Sequence, residues 1–139
     1  MRKSITISTL LVLTITTLVS CKKDEETKKE SSVPALSASI QIAQPLQDAI
    51  IAADSIVYMN ATITADFQMH GYHAWLINTT TNDTVWSAHP HTHGETLLLS
   101  DQWINQVGTE SDMLFKITAS LNHDGATQSK SVAFKCLAD

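Results

Sequence analysis

Two stretches of this chain alternate without interruption. In residues 56 to 65, Val57, Met59, Ala61, Ile63 and Ala65 interleave with Tyr58, Asn60, Thr62 and Thr64. In residues 114 to 122, Phe115, Ile117, Ala119 and Leu121 interleave with Lys116, Thr118 and Ser120. Side chains of an extended chain point to opposite faces in turn, so a strict period of two makes one face apolar and the other wet. That is the pattern of antiparallel sheets with a single buried face, and it excludes a helical fold for these segments.

The remaining candidate strands are Ala38 to Ala43, Tyr72 to Asn78, Thr84 to His89, Thr96 to Leu99 and Ser129 to Cys136, with Val132, Phe134 and Cys136 on one face. Turn chemistry separates them: TTTND after Asn78, and NHDG at residues 122 to 125 with Asp-Gly at a tight hairpin. SDQWINQV, residues 100 to 107, has Ser100 as a cap and Trp103 four residues before Val107, which predicts a helical turn over one end of the core. Seven short strands in about a hundred residues predict an all-β, seven-stranded antiparallel sandwich.

The chain divides into three parts. Residues 1 to 20 begin with Arg2 and Lys3 and run apolar from Ile5 to Val19, as a secretory signal peptide does. Residues 21 to 35 contain KKDEETKKESS, with four lysines and four acids and no apolar residue, a composition expected of a solvated tether. Residues 36 to 139 hold the predicted sandwich. From Val33 onward three lysines, Lys116, Lys130 and Lys135, stand against ten acids, a net of −7 that disfavours nucleic acid and anionic headgroups but not small cations. Cys136 reads as a small core hydrophobe.

LVSC, Leu18 to Cys21, resembles the lipobox of bacterial lipoproteins, which implies cleavage before Cys21, lipidation of its thiol and a membrane partner through that anchor. CKKDEE is similar to the lysine-then-acid signal that follows the lipidated cysteine in surface-exposed lipoproteins of Bacteroidota-type bacteria, implying an outer-membrane, cell-surface location. Trp75 on the third strand and the paired strands around NHDG resemble immunoglobulin-like and fibronectin-III-like modules. The layout as a whole looks like the small Ig-like surface lipoproteins of Bacteroidota, whose fold implies no activity.

Six histidines carry the functional expectation. If consecutive strands run up and down, His70 and His73 from the second connection, His89, His91 and His93 of HPHTHG, and His123 of NHDG all fall at one pole, with Asp66, Glu95, Asp124 and Met69 at the same end. An extended HPHTHG would point His89, His91 and His93 to one side. Several neutral imidazoles suit a divalent ion, zinc by geometry or copper(II) by affinity. On this reading His89, His91 and His93 lead the ligand set, His70 and His73 follow, and His123 comes last.

Two other readings of the same residues stand beside it. The imidazoles could pin the loops by hydrogen bonds, with His73 packed beside Trp75 and Ile77, or they could face an organic ligand. The competing function is an interaction module for an extracellular protein or glycan, with Trp86 and Trp103 as stacking platforms. Asn60, Asn78 and Asn82 begin N-x-T sequons, and Ser55 and Thr84 lie in acid-hydroxyl-apolar tripeptides that resemble O-glycosylation sites of Bacteroidota. No serine elbow, phosphate loop or HExxH occurs, so the expected function is non-catalytic.

Overall fold

A computed structural model describes residues 35–139. The signal peptide, Cys21 and almost all of the charged tether lie outside the described residues. The rest is all-β, with eight strands: β1 (Ser39–Gln44), β2 (Ile50–Ile51), β3 (Ile56–Met69), β4 (Tyr72–Asn78), β5 (Asp83–Ala88), β6 (Gly94–Ile104), β7 (Ser111–Ser120) and β8 (Thr127–Cys136). They form two sheets, β1-β3-β6 and β2-β8-β7-β4-β5. All pairings are antiparallel except β2 with β8. This is the strand order of an immunoglobulin-like sandwich.

The alternation read from the sequence is the core. Val57, Met59, Ala61 and Ile63 of β3 are buried, together with Leu97 and Leu99 of β6. The opposite sheet supplies Ala74 and Leu76 of β4, Met113, Phe115, Ile117 and Ala119 of β7, and Phe134 and Cys136 of β8. Each large side chain among them stabilises the fold by roughly 1.5–3 kcal/mol relative to exposure. Cys136 is fully buried, carries no disulfide and has its thiol pushed up to about 11 by burial, so it is inert core, as its position near the end of the last strand predicts.

Two expectations are corrected. The strand count is eight, because Ile50–Ile51 forms a short parallel pair with Lys135 and Cys136. No helical turn covers residues 100 to 107. Ser100, Gln102 and Ile104 instead continue β6, opposite Asn60, Tyr58 and Ile56. The reason is β3 itself: its long ladder offers partners well past Leu99, and Trp103 lands on the inner face opposite Val57. The spacing from Trp103 to Val107 fits either conformation, and the ladder decides.

Side-chain bonds close one flank. Gln128 accepts from the amide of Ala38 at 2.8 Å and donates to its carbonyl, while Lys130 Nζ donates to Ile40 O at 2.9 Å, tying β1 to β8. Across the core, Tyr72 Oη donates to Leu98 O at 3.2 Å. At the pole away from the histidines, buried Asn105 donates to the carbonyls of Ile51, Ala52 and Leu137, stitching the end of β6 to β2 and to the C-terminal segment.

Candidate functional site

The corner between β3 and β4 is His70 and Gly71. His70 N donates to Ser120 O at 2.8 Å and Ser120 N donates to Gly71 O at 3.0 Å, so the corner is pinned to the end of β7. That places His70 over the turn that leaves β7. The turn is held by Leu121 N bonding Ala126 O at 2.8 Å, and by Asn122 Oδ1, which accepts from the amides of Asp124 and Ala126. His123 is presented from it.

HPHTHG is seated on the same corner. Gly71 has φ of +104°, and a Cβ there would come within 2.5 Å of Pro90 O, so only glycine lets the loop lie this close. At the far end of the loop Gly94 pairs with Met69, which brings His93 back beside His70.

All six histidines meet in two groups. In the first, the ring of His70 lies 3.7 Å from that of His123 and 4.7 Å from that of His93, centroid to centroid. His93 lies 5.1 Å from His91 and 6.4 Å from His123. In the second, His73 on β4 and His89, just beyond β5, stack with parallel rings 4.5 Å apart. Trp75 stacks on His73 at 3.7 Å, and Lys116 Nζ sits 5.7 Å from the Trp75 ring. HPHTHG is thus divided: His91 and His93 join His70 and His123, while His89 joins His73. The loop bends over Gly71 instead of running straight, so the three histidines do not form one row.

His73, Trp75 and Ile77 share a face, but it is the half-buried outer face of the five-stranded sheet; the core face of β4 is Tyr72, Ala74, Leu76 and Asn78. Trp75 is therefore outside the core. Met69 is fully buried in it. Asp66, Glu95 and Asp124 are exposed. Among the described residues the ion pairs are those of Lys135 with Glu110 and Asp112, and none includes an imidazole.

The electrostatics follow from this arrangement. His70 has its pKa lowered, first by burial of the ring and then by the neighbouring His123, His93 and His91. His73 is lowered by burial and by His89. Both shifts favour the neutral imidazoles of His70 and His73, the form that can ligate a metal. His70 Nδ1 is buried and has no hydrogen-bond partner. Around a tetrahedral zinc, imidazole centroids would stand about 5 Å apart. The separations of His70 from His93 and of His91 from His93 match that spacing, whereas His70 and His123 are closer. As the rings stand, no three His, Cys, Asp or Glu side chains among the described residues are arranged to hold a metal ion. Loading would therefore require the exposed rings of His91, His93 and His123 to turn about their χ angles.

The other singled-out residues have local roles. Trp86 packs near Phe115, with centroids 6.4 Å apart, and Trp103 is half-buried against the core. Asn78 is buried, donates to Ser111 Oγ at 3.0 Å and accepts from the amides of Thr80 and Thr81, so this sequon asparagine serves the β4–β5 turn. Asn82 sits in the same turn with φ of 62°. Gly71 and Ser120, which assemble the pole together with Asn122 of the NHDG turn, are not singled out by the sequence. Of the three, only the Asn-x-x-Gly turn around Asn122 carried a local signal.

No protein-family model matches the chain, and no curated protein is detectably similar to it. Among solved structures it is similar to the fibronectin(III)-like modules of CbhA from Clostridium thermocellum, at 12% identity and a TM-score of 0.47, covering 73% of this chain and 98% of that one.

Proposed function

We propose that this chain is a lipid-anchored, surface-displayed, non-catalytic binding protein whose histidine pole takes up a divalent transition metal, zinc or copper(II). The observation that carries the reading is the convergence of His70, His91, His93 and His123 from three connections, with no carboxylate partner among the described residues, around a buried Nδ1 that lacks a hydrogen bond. A network whose only task was to pin loops would satisfy that nitrogen. A metal would use the lone pair of the buried His70 nitrogen together with those of the rings beside it. The stacked pair His73 and His89 is the secondary locus. Attachment through Cys21 and display at the outer membrane rest on the LVSC and CKKDEE resemblances.

The test is calorimetric titration of untagged residues 33–139, which hold both sheets and the whole described core, with zinc and then copper(II). Stoichiometric binding with Kd at or below micromolar, roughly 8 kcal/mol or more, is expected. It should be lost when His70, His93 and His123 are all alanine and retained when only His73 and His89 are. Weak binding shared by all three proteins would overturn the reading and leave the histidines as structural groups.

A further inference from the structure

The outer face of the three-stranded sheet has a composition unlike the rest of the surface. Along β3 the outward residues are Ile56, Tyr58, Asn60, Thr62 and Thr64; opposite them on β6 stand Ile104, Gln102, Ser100, Leu98 and Thr96. None of these ten is charged, although the domain carries thirteen charged side chains from Val33 onward. Large apolar groups lie open on this face: Tyr58 is 47% exposed, Ile56 41%, Ile104 50% and Leu98 71%.

Tyr58 stands toward the Ile56 end of it, between two recesses. On one side is an open groove of about 550 Å³ lined by Gln44, Tyr58, Asn60, Ser100, Asp101 and Gln102. On the other is a smaller, apolar one, about 260 Å³, with Pro45, Leu46 and Ile56 among its walls. The polar side is partly ordered: Asn60 Nδ2 donates to Gln44 Oε1 at 2.6 Å, and Asp101 Oδ1 accepts from the amide of Gln102 at 2.7 Å.

We infer that this groove is a binding site for a neutral glycan, with a pyranose ring stacked on Tyr58. A pyranose has an apolar C–H face and a rim of hydroxyls that both donate and accept. The groove supplies the matching groups: the exposed Tyr58 ring, the amides of Gln44, Asn60 and Gln102 and the hydroxyl of Ser100, each of which both donates and accepts. Asp101 at the rim accepts only. The absence of lysine and arginine from the lining selects against phosphorylated, sulfated and uronic-acid polymers. A second copy of the chain is a poorer occupant, because each domain brings a net charge of −7 to the contact. The site is separate from the histidine pole: Gly94 and Gln102 are eight positions apart along β6, roughly 25 Å of strand. It does not depend on metal. Trp86 and Trp103, the platforms expected from the sequence, are committed to the core, and Tyr58 is the aromatic that the fold leaves open.

The experiment is an NMR titration of ¹⁵N-labelled residues 33–139 with neutral oligosaccharides of glucose, galactose, mannose and N-acetylglucosamine, each to 10 mM, with oligogalacturonate as the acidic control. At least one neutral oligomer should shift the amides of Tyr58, Asn60, Ser100 and Gln102, while the acidic one should not. Tyr58→Ala should weaken that binding tenfold or more, Gln102→Ala several-fold, and Tyr58→Phe should largely retain it; unchanged spectra elsewhere show that the variants fold. No shift with any neutral oligomer, shifts that survive Tyr58→Ala, or equal response to the acidic control would overturn the assignment. So would concentration-dependent self-association through this face in sedimentation runs without sugar.

Discussion

The imidazole of His70 lies 3.7 Å from that of His123, centroid to centroid, and the groups that lower its pKa are burial and three other histidines. In the unfolded chain His70 titrates near its ordinary 6.5; in the folded protein it does so at lower pH. Its contribution to stability is therefore fully present above about pH 6.5. As pH falls below that value the unfolded chain takes up a proton that the folded protein resists, and stability is lost until the folded pKa is passed. His73 acts in the same direction. The thermal midpoint of residues 33–139, without metal, should fall between pH 7.5 and pH 5. The fall should be shallower in His70→Gln and shallower again in the double variant His70→Gln, His73→Gln. Equal slopes in all three proteins would show that the imidazoles are not crowded in solution.

Gly71 makes a separate prediction, because it joins the pole mechanically. With φ of +104° and Pro90 O within 2.5 Å of an added Cβ, Gly71→Ala strains the backbone and pushes HPHTHG away from His70. The expected cost is about 2–4 kcal/mol in urea unfolding. Zinc affinity should fall with it although no histidine has been touched. Gly125→Ala is the control: its φ of +89° brings strain alone, since nothing lies within 4 Å of the added atom. Loss of stability without loss of affinity in Gly71→Ala would separate the loop from the metal reading.

Much of this architecture is legible in the sequence because a two-residue period reports burial directly. The alternations beginning at Val57 and Phe115 are the inner rows of the two sheets. The convergence of the histidine loops follows from strand order, which tolerates boundary errors such as ending the fifth predicted strand at Leu99 instead of Ile104. What was not legible depends on contacts remote in sequence. The division of HPHTHG turns on how closely Gly71 lets Pro90 approach, and the extension of β6 turns on the length of β3. The outward position of Tyr58 follows from its alternation with Val57 and Met59, whereas the inward packing of Trp86 and Trp103 depends on which sheet face each strand presents.

At the end of the sandwich away from the histidines, one buried side chain bonds three backbone carbonyls. Asn105 Nδ2 donates to Ala52 O at 2.8 Å, to Leu137 O at 2.9 Å and, more weakly, to Ile51 O at 3.3 Å, in a buried position. Asn105→Ala leaves those carbonyls without their donor, and should destabilise the domain by roughly 3 kcal/mol in denaturant unfolding. Asn105→Asp should be at least as damaging, since it replaces the donor with a charge facing carbonyl oxygens. A change below about 0.5 kcal/mol in both would mean that water replaces the amide at no cost.

Asp101 governs the free edge of the smaller sheet. It lies in the same row as buried Met59, on the inner side, yet stays exposed because β6 is the last strand of that sheet. An inward-pointing charge on an edge strand resists the docking of a second edge, which would have to desolvate it. Burial raises the Tyr72 hydroxyl above its ordinary pKa, and the nearby Asp101 charge adds to that rise. Asp101→Val should therefore have two consequences from one change. Ultraviolet titration should show Tyr72 ionising at lower pH than in the parent, and sedimentation velocity should show concentration-dependent association absent from the parent. If the tyrosine shifts but the protein stays monomeric, the edge is guarded by its geometry and not by this charge. If neither changes, Asp101 faces solvent and plays no part in the edge.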